Sequence, residues 1–279
     1  MKVGSLFAGI GGIDLGFHQA GFSIVWANEI DPKACQTYSK NFNHRIICED
    51  IKKIDVSQIE NVDILTAGFP CQAFSVAGHR KGFQDERGSV FFDMMKIFEH
   101  LKPKILFLEN VKNLISHDKG KTFKKMIKAI ELLGYHVKHQ IMNTCDYSNI
   151  PQNRERLYLL GFRDKSLFNA FEFPNKETSQ LRVTDLINEQ ASQKYYYDKV
   201  SFYPILEEKI KNKDTCFQWR RKYVRENKSG LCPTLTANMG TGGHNVPLIL
   251  DSQGIRKLTP RECARFQGFP DSFAFPEMA

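Results

Sequence analysis

The stretch "AGFPCQAFS", Ala67 to Ser75, places a thiol just after an apolar run, "NVDIL", that reads as a buried strand. A cysteine inside a core is inert packing. At the carboxyl end of a strand in an open α/β sheet, it lies where such folds bind ligands. To act as a nucleophile Cys71 must become a thiolate, and a free cysteine has a pKa of ~8.5 that cations or a helix amino end lower. The next strand-like run, "KPKILFLENV", ends with Glu109 at a corresponding position. A carboxyl in a closed pocket holds its proton near neutral pH and acts as an acid. "QNRER" offers Gln152, Arg154 and Arg156 at alternate positions. An extended strand points all three to one face, a cationic comb for an anionic or carbonyl-bearing substrate. One of the two arginines is expected to be taken up by a salt bridge.

A second group of residues describes a pocket. "FAGIGG", Phe7 to Gly12, follows a strand and opens a helix, where glycines let the backbone approach a ligand at a helix amino end. Alone it fits a nucleotide, a dinucleotide or a tight turn. Glu29 ends the second strand 17 residues beyond Gly12, where a carboxylate accepts hydrogen bonds from ribose hydroxyls. Asp50 ends the third strand and is placed to receive an exocyclic amine; a helix cap is the plain alternative for either acid. Three strand ends in line suit an adenosine-containing cofactor. Beside it, a thiol, a carboxylic acid and an arginine suit covalent addition to an electron-poor ring. C5 of a pyrimidine is a poor nucleophile until a thiolate adds at C6, and Glu109 at N3 favours that addition.

The elements that must position these residues follow from patterning. The first 165 residues alternate short apolar runs with amphipathic stretches, as in a parallel sheet with crossover helices. "KVGSLF", "FSIVWANE", "HRIICED", "VDILTAGF", "KPKILFLENV", "HVKHQIMN" and "RLYLLGFR" read as strands. "GGIDLGFHQAG" reads as a helix closed by Gly21, and "DPKACQTYSKNF" as one with proline in its first turn. A helix capped by Ser89 carries Phe91, Met94, Met95, Phe98 and Leu101 at helical spacing. After Pro174 the alternation dissolves into a loop-rich region over 175–255. In "KLTPRECARFQGFP", Thr259, Pro260 and Glu262 fit a capping box, and Gly268 is placed to stop the helix.

Composition bounds the rest. With 42% hydrophobic and 25% charged residues, the chain reads as a soluble globular protein, and no apolar run is long enough to span a membrane. Seven scattered cysteines without a C-x-x-C pair argue against a disulfide framework or a zinc ribbon and favour a reducing cytoplasm; no metal is expected. The net charge of +8 clusters in "CFQWRRKYVRENK", Cys216 to Lys228, where aromatics interleave with basic residues. Phosphate contact is the better reading of that stretch, a solvated face the plainer one.

"SLFAGIGG", "NEID", "GFPCQAFS", "ENV", "QNRER" and "RKLTPRECARFQGFP" occur in the order found in another group. The chain resembles the bacterial cytosine-5 DNA methyltransferases of restriction–modification systems over most of 1–165 and 255–274. The resemblance implies a doubly wound, Rossmann-like sheet with a second, smaller target recognition domain. It implies methyl transfer from S-adenosyl-L-methionine to C5 of a flipped-out cytosine in duplex DNA. C6 is hidden in a duplex, so extrusion of the base is a chemical necessity. By position, Phe7 contacts the adenine ring within the loop Ala8, Gly9, Gly11 and Gly12; Glu29 with Ile30 serves the ribose, and Asp50 with Ile51 the adenine edge. Cys71 is the expected nucleophile between Pro70, which shapes the loop, and Gln72. Glu109 is the N3 partner and Arg156 a cytosine-carbonyl contact and stabiliser, with Arg154 of the same run also counted among the catalytic residues. Ser75 and Arg87 resemble positions near phosphate or a closing loop.

The expected division is 1–174 catalytic, 175–255 target recognition and 256–279 a helix returning toward the catalytic domain. In the recognition domain, Arg220, Arg221, Lys222 and Arg225 are candidates for phosphates or guanines. Thr234, Leu235, Gly240, Gly242 and Gly243 match a Thr-Leu pair and a glycine-rich loop. The family's final Gly-Asn motif is not found before Ala279, so the alternatives are a reading frame cut short or a complementing C-terminal polypeptide that supplies the last helix for cofactor binding. The enzyme is expected to work as a monomer on double-stranded DNA, with a companion endonuclease that need not bind it. An RNA-directed cytosine methyltransferase shares the catalytic set, and a split-enzyme subunit that binds DNA is a further alternative. A dinucleotide dehydrogenase leaves Cys71, Glu109 and the arginines without a task.

Overall fold

A computed structural model describes residues 1–70, 89–177, 180–237 and 245–276. Cys71, Gln72, Ser75, Arg87, Gly240, Gly242 and Gly243 lie outside the described residues. The chain divides into two units: 1–142, 156–173 and 274–279 form the first, and 143–155 with 174–273 the second. The division differs from the sequence expectation at 143–155 and at 256–273, which join the second unit.

The first unit follows the expected alternation. β1 (Lys2–Leu6), α1 (Gly12–Gln19), β2 (Ser23–Glu29), α2 (Pro32–Ser39), β3 (Arg45–Cys48), β4 (Ile64–Ala67), α3 (Ser89–Leu101), β5 (Ile105–Val111), α4 (Lys121–Leu132) and β6 (His136–Asn143) come in turn. The chain then passes through the one-turn α5 (Thr144–Tyr147) and the two-residue β7 (Gln152–Asn153), returns as β8 (Glu155–Phe162) and continues into the short α6 (Lys165–Ala170). The seven-stranded sheet has the order β3-β2-β1-β4-β5-β8-β6. β1 through β5 pair in parallel, and β8 runs antiparallel to β5. The order reverses between β1 and β4, the switch point at which open α/β sheets bind ligands.

Period-two alternation gives the sheet two apolar faces. Leu65, Leu106 and Leu108 join Phe91, Met94 and Phe98 of α3 and Met126 and Ile130 of α4 in one core. Val3, Ile24 and Ile64, with Ile105 and Phe107, meet Phe17 of α1 in another. Asp31 caps α2 by accepting from the Lys33 amide at 2.8 Å, with Pro32 in the first turn.

The second unit is less regular, as its weak periodicity implies, but it has sheet order. α7 (Tyr203–Lys209) packs with β9 (Phe217–Trp219), β10 (Val224–Glu226), β12 (Pro247–Leu250) and β13 (Ile255–Lys257), which form an antiparallel sheet in the order β10-β9-β12-β13. β7 pairs in parallel with β11 (Cys232–Pro233). The basic stretch is a hairpin: Val224 pairs with Trp219, and the Arg220 amide donates to the Tyr223 carbonyl at 2.9 Å.

The capping box opens α8 (Pro260–Arg265). Glu262 there does more than cap. Arg256, with no exposed surface, donates from Nε to Asp251 at 2.5 Å and bidentately to Glu262 at 2.8 and 2.9 Å. Its remaining two N–H groups meet the carbonyls of Lys257 and Asn188, so all five donors are satisfied. Burial is the largest single influence and works to raise the Asp251 and Glu262 carboxyls, but the guanidinium together with the Tyr196 hydroxyl on Asp251 and backbone amides on both holds them below their ordinary values.

Candidate active site

Register builds the site in the first unit. Asn28 of β2 pairs with Leu6 of β1, Leu6 with Ala67 of β4, and Ala67 with Leu108 of β5. One residue further along each strand stand Glu29, Phe7, Gly68 and Glu109, so these four begin the carboxyl rim of the sheet together. Cys71 follows three residues after Gly68 and lies outside the described residues.

The glycine loop is a tight turn. The Gly11 amide donates to the Ala8 carbonyl at 2.9 Å, and the Ala8 amide to the Asn28 carbonyl at 3.0 Å. Gly11, at φ +92°, cannot carry a side chain, because a Cβ there meets the Phe42 ring at 2.3 Å. Gly9, at φ +58°, has nothing within 4 Å of that position, so its backbone is open to a ligand. Phe7 also has a positive φ of 55°. Glu29 is anchored by backbone amides: Oε2 accepts from Gly9 at 2.8 Å, and Oε1 from Ile30 and Asp31 at 2.8 and 2.9 Å. Ile30 beside it is 61% exposed, a free apolar side chain next to a fixed carboxylate. Asp50 accepts from the Lys52 amide at 3.0 Å and caps the short 3-10 turn that begins at the buried Ile51. Open backbone, an oriented carboxylate and exposed apolar surface fit an adenosine-bearing cofactor.

Across the switch point, Arg156 Nε lies 2.9 Å from Glu109 Oε1, with both side chains largely covered. Val111 of β5 pairs with Arg156 of β8, which fixes the guanidinium near the strand end that carries Glu109. A Cβ on Gly68 stands 3.7 Å from Glu109 Oε2, so the second carboxylate oxygen faces the segment leading to Cys71.

The alternating comb does not form. Gln152 belongs to β7, paired with Cys232 of β11, and is fully buried with its amide donating to the Phe266 carbonyl at 2.7 Å. Arg154 lies between the two strands and lines a cavity of the second unit with Thr236 and Lys257. Arg156 alone stands with Glu109. A change of partner sheet within five residues overrides the period-two expectation.

Two asparagines escaped sequence reasoning. Asn110 donates to the Phe69 carbonyl at 2.8 Å and accepts from the Val111 amide, tying the Phe69–Pro70 segment to β5. Asn28 donates to the carbonyls of Ile47 and Glu49, fixing the end of β3. Each is a polar residue beside a strand-end acid in an apolar run, and that was the signal available.

In the second unit, Arg221, Lys222 and Arg225 of the hairpin are exposed, while the Arg220 guanidinium donates to the Asn245 side chain. Leu235 is 6% exposed and packs with Cys216, Cys232 and Phe266, so its place is in the core rather than on DNA. Thr234 donates to the Asn153 carbonyl at 2.6 Å. Burial pushes the Cys35 and Cys263 thiols up to about 12 and raises Cys145 and Cys232, which leaves these four poor nucleophiles.

All 279 residues match the C-5 cytosine-specific DNA methylase family. This chain is a member of that family. It is 53% identical to the Type II methyltransferase M.Bsp6I of Bacillus sp. (strain RFL6), over 100% of this chain and 90% of that protein. It is 38% identical to M.DsaV of Dactylococcopsis salina, over 99% of this chain and 78% of that protein. The structure of the Dnmt2 methyltransferase of S. pombe shares the fold, with a TM-score of 0.75 at 22% identity, covering 100% of this chain and 90% of that one. The methylase is therefore an enzyme acting on cytosine C5 in DNA, and its cofactor is S-adenosylmethionine. Among the described residues no helix is long and apolar enough to cross a membrane.

Proposed function

We propose that this methylase modifies a cytosine within a specific duplex sequence through a covalent bond from Cys71 to C6. The observation that carries the reading is the Glu109–Arg156 pair at 2.9 Å on the rim that the Phe69–Pro70 segment reaches. Cys71 adds as the thiolate, and the electron pair displaced from the C5–C6 double bond makes C5 nucleophilic. Glu109 engages N3, and Arg156 the 2-carbonyl oxygen, so that charge developing on the ring meets a positioned carboxyl and guanidinium. Once C5 carries the transferred methyl group, loss of the C5 proton to a base and departure of Cys71 as the thiolate restore the C5–C6 double bond. The cytosine leaves the stack to reach this rim, because C6 is inaccessible in a duplex.

Phe7, Gly9, Glu29 and Ile30 hold S-adenosylmethionine, with Asp50 and Ile51 at the next strand end. Bound there, the cofactor supplies a methyl group activated by a sulfonium. Pro70 and Gln72 flank the nucleophile. Arg221, Lys222 and Arg225 contact the duplex, with Ser75, Arg87 and the glycines at 240, 242 and 243 as further contacts. By its likeness to Type II methyltransferases, the enzyme marks host DNA in the cytoplasm against a companion endonuclease.

The test is a trap. DNA carrying 5-fluorocytosine at the target, given cofactor, is expected to become covalently attached to the wild type at residue 71 and not to Cys71→Ser. That variant is expected to lose turnover by on the order of 10³-fold or more while still binding DNA. An adduct mapped to another residue, or methyl transfer to transfer RNA and none to DNA, overturns the reading.

A further inference from the structure

Strand pairing in the second unit sets two lysines on one aromatic ring. Tyr196 bridges Arg256 in antiparallel fashion, and the Tyr197 amide donates to the Ile255 carbonyl at 3.0 Å. One step along this pairing, Tyr195 stands opposite Lys257, the last residue of β13. Lys257 Nζ lies 6.0 Å from the Tyr195 ring centroid, and Lys194 Nζ, from the same short 3-10 turn as the tyrosine, lies 5.6 Å from it. The ring attracts each ammonium group but neutralises neither. Among the described residues no ion pair joins either lysine to a carboxylate.

A cavity of about 440 Å³ opens at this point. Lys194, Lys257 and Arg221 line it with Tyr196, Tyr197 and Trp219, and the described lining contains no acid. Arg221 reaches it from the turn of the β9–β10 hairpin at φ 67°, a left-handed conformation that glycine or asparagine adopts with less strain. Three cations converging without a counter-charge, one of them on strained backbone, form a site for an anion. Three cations beside aromatic walls suit a polyanionic strand better than a small free ion.

We propose that Lys194, Lys257 and Arg221 form a clamp for the phosphate backbone of duplex DNA, separate from any residue that reads bases. The inference rests on the duplex-DNA substrate of the reading above. Phosphate contacts fix register without sequence information, so the clamp acts alike on every duplex.

The experiment measures binding of the full chain to two fluorescent duplexes of unrelated sequence between 50 and 200 mM salt (about the range over which counterion release is resolved). For Lys194→Gln/Lys257→Gln, the slope of log K against log salt is expected to fall by about 2, with affinity at the lowest salt reduced about tenfold or more. The loss is expected to be equal on both duplexes, and Lys194→Arg/Lys257→Arg is expected to retain the wild-type slope. A matching melting temperature for all three proteins shows that charge, not folding, has changed. A slope unaltered by the glutamines, an arginine variant as weak as the glutamine one, a loss confined to one sequence, or a change seen with duplex RNA alone overturns the clamp. Adduct formation on 5-fluorocytosine DNA is followed in parallel. A wild type that forms no adduct but shows the slope change removes the proposed chemistry and keeps the clamp; an active enzyme with an unaltered slope does the reverse.

Discussion

Asp14 sits in the first turn of α1, directly behind the glycine loop, fully buried and with no partner for its Oδ1 among the described residues. Its Oδ2 accepts from the Tyr38 hydroxyl at 2.6 Å, and Tyr38 meets His44 Nε2 at the same distance. Burial pushes the Asp14 carboxyl up from 3.8 to about 6, against the opposing influence of the Tyr38 and Ser5 hydroxyls. The sign follows from linkage: between those two values the folded state holds a proton that the unfolded chain has released, so stability falls as pH rises. The loss is complete above about pH 6 and is on the order of 3 kcal/mol. His44, lowered by burial, works in the opposite sense as pH falls. A comparison of variants therefore isolates the aspartate. Asp14→Asn is expected to gain stability relative to wild type as pH goes from 4 to 7, by urea unfolding; a constant difference across that range contradicts the buried proton.

At the scale of elements, two polar residues hold segments in place. Asn110 satisfies the Phe69 carbonyl at the point where β4 hands the chain to Cys71. Asn110→Ala leaves that buried carbonyl unpaired, at about 1–3 kcal/mol, and frees the segment to shift. The cofactor rim at Glu29 and Gly9 is untouched. The expected result is a fall of about 10²-fold in the rate of 5-fluorocytosine trapping with little change in cofactor affinity. Equal loss of both assigns Asn110 to general stability instead. Arg256 ties β13 to α8 through Asp251 and Glu262, and Arg256→Leu strands two buried carboxylates, an effect of about 3–5 kcal/mol. Its measurable form is a lowered unfolding midpoint in urea.

The same elements show what the sequence alone makes legible. The parallel strands of the first unit are readable because each is an apolar run ending in a residue that could do chemistry, and the glycine loop reads as a turn because only glycine fits at Gly11. The capping box at Thr259 is likewise local. Arg256 is legible only as one more basic residue, since its partners Asp251 and Asn188 come together through tertiary pairing. The comb of Gln152, Arg154 and Arg156 fails for the same reason: local period two assumes one strand, and the chain here serves two sheets. Glu109 is the instructive mixed case. Its place at the strand end is readable, but its pairing with Arg156 at 2.9 Å depends on the antiparallel register of β8, which no local pattern announces.

For the whole molecule, the two units divide the charge and the chemistry. The residues proposed for cofactor and nucleophile lie at strand ends of the first unit, and the exposed cations of the hairpin lie in the second. The net charge of +8 draws a polyanion to the molecule, but only cations that reach phosphate add to the salt slope. Lys222 and Arg225 are exposed on the hairpin and line neither of the two cavities described above. Lys222→Gln/Arg225→Gln is therefore expected to lower the slope of log K against log salt by about 2 and to leave S-adenosylmethionine affinity at its wild-type value. Calorimetric titration of the cofactor beside fluorescence titration of DNA reads both quantities on one preparation. Parallel losses in the two titrations make the hairpin a support for the fold, and a slope that does not move makes it a solvated surface.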